Sequence, residues 1–184
     1  MREIIMSEEE ILNACKRIGA AISQDLKNEK KPPVILGVMK GALHFMCDLV
    51  KQITIPIFLD YIQISSYFGV ENTGKITLLK DIGFDLNDRT VIIVEDVVDT
   101  GNSINYLVKY IKEKYNAKQI LICALFNKIN AREAFIEVHY TGKVLTENKF
   151  LVGYGLDYKE LLRDIPYVYV ATPEEIEELD KLVE

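Results

Sequence analysis

The sequence contains no tryptophan, two histidines and three cysteines in 184 residues. His44 and His139 are too few and too far apart along the chain to hold a zinc ion between them. Cys15, Cys47 and Cys123 make no C-x-x-C and no even set, and each falls in an apolar pattern, so all three read as buried thiols. Positive charge is also scarce. Twenty-two Lys and Arg face 28 Asp and Glu, a formal charge of −6, which leaves no diffuse basic surface for a nucleic-acid backbone. A small anion needs only local cations and stays admissible. No apolar run approaches the roughly 18 residues that cross a bilayer. The opening "MREIIMSEEE" is acidic where a signal peptide is basic and then apolar, so a cytoplasmic protein without a membrane partner is expected.

At 49% hydrophobic residues the chain has enough apolar content for one well-cored domain over residues 1–184. In "SEEEILNACKRIGAAI", Ile11, Ala14, Cys15, Ile18 and Ile22 share one helical stripe, and Ser7 with Glu10 has capping-box spacing. Residues 34–38 form a short apolar run, followed by "MKGA" and a helical pattern through Phe45, Met46, Leu49 and Val50. A strand led by Pro56, another in "KITLLKDI" and a buried one at residues 90–94 follow, and beyond Ser103 the spacing of Ile104, Leu107, Val108 and Ile111 predicts a helix. "QILICALF", "KFLVGYGL" and "PYVYVA" read as strands; "TPEEIEELDKLVE" reads as a helix capped by Thr172, with Pro173 first and Glu175 completing a capping box. Strands alternating with helices imply an α/β fold whose central, mainly parallel sheet is covered by helices on both faces.

One stretch breaks the apolar pattern. In "VIIVEDVVDTGNSI", residues 91–104, an apolar strand meets Glu95, Asp96 and Asp99 and then a small hydroxyl-rich turn at the start of a helix. In an open parallel sheet, ligands bind beyond the carboxyl ends of the strands, where polar residues need not be buried. A helix N-terminus offers unpaired N–H groups and a favourable dipole to an anion, Thr100 and Ser103 add hydroxyls, and Gly101 permits close backbone approach. The turn therefore reads as a phosphate cradle, although it is neither a Walker loop nor a G-x-G-x-x-G fingerprint. Glu95 and Asp96 suit a pair of sugar hydroxyls, directly or through Mg2+. The plain alternative is a strand followed by an N-capped helix, with Asp99 as the cap and the other acids solvated.

"VIIVEDVVDTGNS" closely resembles the phosphoribosyl diphosphate (PRPP) signature of the type I phosphoribosyltransferases. "GVMKGA" at 37–42, "SSYFG" at 65–69, "NK" at 127–128 and "FLVGYGLDYKELLRDIPYV" at 150–168 narrow the resemblance to the hypoxanthine-guanine branch. It implies the type I phosphoribosyltransferase fold, with a lid at about 65–75 and a small hood from N-terminal residues and about 143–184. The activity implied is Mg2+-dependent transfer of 5-phosphoribosyl from PRPP to N9 of a 6-oxopurine, by a homodimer or homotetramer.

The same resemblance assigns roles. Glu95 and Asp96 face the ribose hydroxyls, Asp99 to Ser103, with Asn102 where relatives often carry Lys or His, wrap the 5-phosphate, and Asp99 exchanges a proton at purine N7. Lys40, Gly41 and Arg163 bind pyrophosphate, with a non-proline cis peptide expected between Met39 and Lys40. Lys128 donates to the purine 6-oxo group, Phe150 stacks on the base, and the backbone of Leu151 meets its pyrimidine edge. Asp157, with Glu95 and Asp96, makes up the expected Mg2+ set, and Ser66 and Tyr67 belong to the lid.

Overall fold

Two short apolar runs, residues 34–36 and 91–94, form the centre of the molecule. In the computed structural model, which describes residues 2–66 and 76–183, they lie in strands β2 (Val34–Met39) and β5 (Thr90–Val98), paired in parallel from Val34↔Val91 to Gly37↔Val94. Strands β3 (Phe58–Ser66) and β4 (Ile76–Lys80) extend the sheet on one side, and β6 (Gln119–Lys128) and β7 (Tyr140–Leu145) on the other, in the order β4-β3-β2-β5-β6-β7. Only β4 runs antiparallel to its neighbour.

Alternation along the strands divides the core. Ile35, Ile92 and Val94 face α1 (Glu8–Asp25) and α2 (Leu43–Val50), whereas Val34, Leu36, Val91 and Ile93 face α3 (Asn102–Lys114), so both faces of the central pair are buried. The expected capping box at α1 is present: Ser7 Oγ accepts from Glu10 N at 3.3 Å, and Ser7 N donates to Glu10 Oε2 at 2.7 Å. Helix α2 is seated by Phe45 and Leu49, both fully buried, while Cys47 on its other side is exposed, contrary to the expectation that all three thiols are buried. In a helix of eight residues the buried stripe takes one side only, and Cys47 falls outside it.

The chain's two ends meet in a second sheet. Strand β1 (Glu3–Met6) pairs antiparallel with β9 (Val168–Val170), which pairs antiparallel with β8 (Leu151–Val152). Lys143 Nζ donates to the Ile5 carbonyl at 2.6 Å, tying this sheet to β7. The last helix, α4 (Pro173–Val183), starts as expected with Glu175 N donating to Thr172 Oγ1 at 3.2 Å. The second half of its capping box is replaced. The Glu175 carboxylate accepts from Tyr169 Oη at 2.8 Å and pairs with Arg2 at 2.7 Å, joining the N-terminus to the last strand.

Three other expectations change, one being that the strand read in "KFLVGYGL" is confined to Leu151–Val152. Strand β5 does not end at Val94 but continues through Glu95 and Asp96 to Val98, because β6 supplies ladder partners as far as Asn127. Pro56 precedes β3 without entering it. Strands β1 and β7 carry no clear sequence signal: the first has four residues, and the second, "YTGKVL", is an edge strand of half-buried residues. No described helix is long and apolar enough to cross a membrane.

The sheet order reverses between β2 and β5, so the crevice beyond their carboxyl ends is the topological switch point where open α/β sheets bind ligands. Helix α2 packs against both β2 and β5. Leu49→Ala is expected to cost about 2–5 kcal/mol of folding stability, the range for an aliphatic core truncation, measured by chemical denaturation.

Candidate active site

Beyond the end of β5, Asp99 and Thr100 lead into Gly101, which has φ +85° and precedes the first residue of α3. A left-handed conformation suits glycine, and its carbonyl accepts the Asn105 N–H at 2.9 Å. Gly101 offers no capping side chain, and Thr100 Oγ1 accepts the Asn102 N–H at 3.3 Å. Asp99 reaches across instead to Lys128 at the end of β6, with Oδ2 and Nζ 2.9 Å apart, which removes the reading of Asp99 as a cap. A cavity of about 270 Å3 is lined here by Glu95, Asp99, Thr100, Gly101 and Ser103. The Asn102 side chain turns away to Glu133, with Nδ2 donating to Oε2 at 2.8 Å.

The adjoining cavity, about 490 Å3, shares Val97 and Asp99 and is also lined by Asp96, Lys128, Phe150, Leu151 and Asp157. Strands β5 and β6 thus supply one wall and the segment entering and leaving β8 the other. Lys128 is only 7% exposed, and its ammonium also donates to Asn148 Oδ1 at 3.3 Å. Phe150 is 54% exposed, an aromatic ring left open in the same cavity as the buried Lys128.

Lys40 and Gly41 follow β2, and the Met39–Lys40 peptide bond is cis as expected. Gly41 lies against the Asp96 carboxylate, where a Cβ would overlap it. Gly155, at φ +99°, lies in turn against the Gly41 carbonyl. Three chain segments therefore touch with no room for a side chain. Arg163 joins the same corner: Nη1 donates to the Gly155 carbonyl at 2.6 Å and Nη2 pairs with Asp157 Oδ1 at 2.8 Å. Lys40 pairs with Glu160 at 2.8 Å, and Lys40 is the main cause holding the Glu160 carboxyl below the usual range.

Glu95 differs from its neighbours. Its extended strand position buries it, and burial, reinforced by the adjacent Asp96 carboxylate, pushes its pKa well above the ordinary value. Glu95, which the plain alternative reading left solvated, is therefore part of the sheet. Among the described residues no group of three or more His, Cys, Asp or Glu side chains is arranged to hold a metal ion. Asp96 and Asp157 do share the larger cavity. Two carboxylates suit Mg2+, which commonly takes one or two from the protein and completes its shell with phosphate oxygens and water.

Most of the expected site residues converge on this crevice. Ser66 is the last residue of β3, with Ile76 as its ladder partner, while Tyr67 and the rest of the lid to residue 75 lie outside the described residues. Sequence reasoning missed Asn148, Glu160 and Arg132. Arg132 packs across Gly101, whose added Cβ would meet Nη1 at 3.1 Å, and that nitrogen is buried without a hydrogen-bond partner among the described residues. Nothing local marks these three. Their neighbours are set by packing between segments distant in the chain.

Comparisons with known proteins agree with this architecture. A model of the phosphoribosyl transferase domain matches residues 3–159. A hypoxanthine-guanine phosphoribosyltransferase of Staphylococcus epidermidis is 38% identical over 169 residues, 91% of this chain and 92% of that protein. The crystal structure of a hypoxanthine phosphoribosyltransferase from Staphylococcus aureus superposes with a TM-score of 0.86 at 38% identity, covering 94% of this chain and 92% of that one. That of a hypoxanthine-guanine phosphoribosyltransferase from Bacillus anthracis gives 0.85 at 31% identity, covering 94% and 99%.

A carboxyl raised on folding contributes stability in full below its unfolded pKa of about 4.3 and loses it as pH rises through the folded value. Glu95→Gln removes that titration. The variant is expected to gain stability relative to the native chain as pH rises above about 4, read from denaturation midpoints. An advantage that does not change with pH would contradict the burial penalty.

Proposed function

Because the chain belongs to the phosphoribosyl transferase domain family, we propose that it transfers the 5-phosphoribosyl group of PRPP to N9 of hypoxanthine or guanine, giving IMP or GMP and pyrophosphate in purine salvage. The observation that carries this reading is the Lys128–Asp99 pair between the two cavities. An ammonium and a carboxylate 2.9 Å apart present a donor beside an acceptor. That is the complement of a 6-oxopurine edge, on which the C6 oxygen accepts and protonated N7 donates.

In this reading Lys128 donates to the 6-oxo group and Asp99 accepts or returns the N7 proton as N9 bonds to the sugar. Phe150 stacks on the base, and the Leu151 backbone meets its pyrimidine edge. A 6-aminopurine offers donors where Lys128 needs an acceptor, and leaving a buried ammonium unpaired is costly, so adenine is rejected. The 5-phosphate sits in the cradle of residues 99–103, whose backbone N–H groups and hydroxyls serve it. Glu95 and Asp96 hold the ribose hydroxyls. The burial of Glu95 favours that role over an exposed metal ligand.

Lys40, Gly41 and Arg163 bind the pyrophosphate. Gly41 serves through its backbone, since its contact with Asp96 leaves no space for a side chain. Asp157 and Asp96 are the residues that would hold Mg2+, which supplies charge neutralisation for the leaving diphosphate. The chain's own part is positioning and electrostatics: cations where negative charge accumulates and carboxylates beside the sugar, where positive charge develops. Ser66 and Tyr67 belong to the lid that excludes water from the reacting ribose. The terminal sheet is the hood of a single domain over 1–184, closing over the base. Exposed Leu59, Tyr61 and Leu79 on the β3–β4 edge support assembly into a homodimer or homotetramer, and a cytoplasmic location completes the reading.

The test is pyrophosphate release with PRPP, Mg2+ and, in turn, hypoxanthine, guanine, xanthine, adenine, uracil and orotate. Turnover is expected with 6-oxopurines, and its absence with all of them would overturn the assignment. Asp99→Asn should lower kcat by about 10²–10⁴-fold with a smaller change in the KM for PRPP; equal losses would argue against proton transfer. Lys128→Ala should raise the purine KM and spare PRPP. Unchanged selectivity against adenine would remove Lys128 from the base pocket.

A further inference from the structure

The two cations assigned to pyrophosphate are already engaged by one side chain. Glu160 Oε2 lies 2.8 Å from Lys40 Nζ and Oε1 lies 3.3 Å from Arg163 Nη2, so each carboxylate oxygen takes one cation. Lys40 and Glu160 are 120 positions apart in sequence, so the contact belongs to the tertiary fold. Glu160 is fixed at its base as well, its N–H donating to Asp157 Oδ2 at 2.8 Å. Its backbone has φ +71°, with Lys159 at +47° and Leu162 at +73°, in a region that side chains other than glycine seldom adopt. An exposed glutamate on a free loop would have no reason to be held in this way.

We propose that Glu160 is an internal counter-ion that occupies Lys40 and Arg163 in place of pyrophosphate and competes with it. The proposal rests on the reading of Lys40 and Arg163 as the pyrophosphate cations. Glu160 keeps the two cations gathered when no ligand is bound. A single carboxylate brings one negative charge and two oxygens to them, and a diphosphate brings more of both, so the ligand displaces Glu160 on entry and Glu160 returns as it leaves. Retention of the product is weakened as a result. The same competition disfavours stray monoanions, which cannot outbid a tethered carboxylate.

The experiment measures inhibition by pyrophosphate against PRPP, and pyrophosphate binding by calorimetry, in the native chain and in Glu160→Gln, Asp164→Asn and Lys40→Ala. Glu160→Gln should bind pyrophosphate roughly two- to tenfold more tightly, the scale of two solvent-exposed ion pairs released from competition. Asp164 is exposed and adjacent to Arg163 in the chain, so Asp164→Asn removes the same charge without the contact and should change the affinity less than twofold. Equal tightening in both variants would reduce Glu160 to a general field effect and overturn the proposal, as would unchanged affinity in Glu160→Gln. Lys40→Ala separates the two levels. Weaker pyrophosphate binding there, with no gain in Glu160→Gln, sinks the counter-ion proposal alone; no loss in Lys40→Ala sinks the assignment of the pyrophosphate site beneath it. Thermal denaturation of Glu160→Gln checks that the variant folds.

Discussion

The parallel pairing of β2 with β5 is the constraint on which the remaining structure depends. Its register aligns Val34 with Val91 and Gly37 with Val94, so both strands deliver their carboxyl ends to the same crevice. One end brings Lys40 and Gly41, the other Asp96 and Asp99. Because Gly41 then meets the Asp96 carboxylate and Gly155 meets the Gly41 carbonyl, the β8 segment closes on the pair with no intervening side chain. Burial on both faces resists slippage: a shift of one residue would turn Ile35 and Ile92 away from α1 and α2 and expose a different set.

The electrostatics of the crevice follow from that convergence. Cations and anions pair with each other before any ligand arrives: Lys128 with Asp99 and Lys40 with Glu160 across distant segments, and Arg163 with Asp157 within one loop. Ligand binding on such a surface is an exchange of ionic partners, in which charge is redistributed and little new charge is buried. This is how cations gather in one crevice of a chain of net charge −6. Long-range attraction is weak, and local placement carries the affinity. Glu95 is the exception. It lies inside the sheet beside another carboxylate, an arrangement that costs stability and is expected where ligand contact is the compensation.

Legibility varied with the kind of signal. Helix α1, with its capping box and five-residue apolar stripe, was plain because period and caps are local. So was the start of α3 after a small-residue turn, although not that Gly101 is its N-cap. The length of β5 was not plain, since the ladder with β6, rather than local hydrophobicity, decides where it ends. Strands β1 and β7 form only because partners distant in the chain complete them. In the site, the motif residues 95–103 stand together in sequence and could be assigned as a unit. Asn148, Arg132 and Glu160 could not, because each matters through a neighbour about 20, 31 and 120 positions away.

The amino-acid order alone therefore determined the fold class and the acidic, hydroxyl-rich turn over residues 95–103 that leads into a helix. These rest on backbone propensity, hydrophobic period and contiguous motif, all short-range properties. Tertiary structure decided which charges meet: that Asp99 pairs with Lys128 instead of capping α3, that Glu95 is buried, and that Glu160 stands between Lys40 and Arg163. Coulomb and desolvation energies depend on distance and burial, and both exist only once segments far apart in the chain have packed.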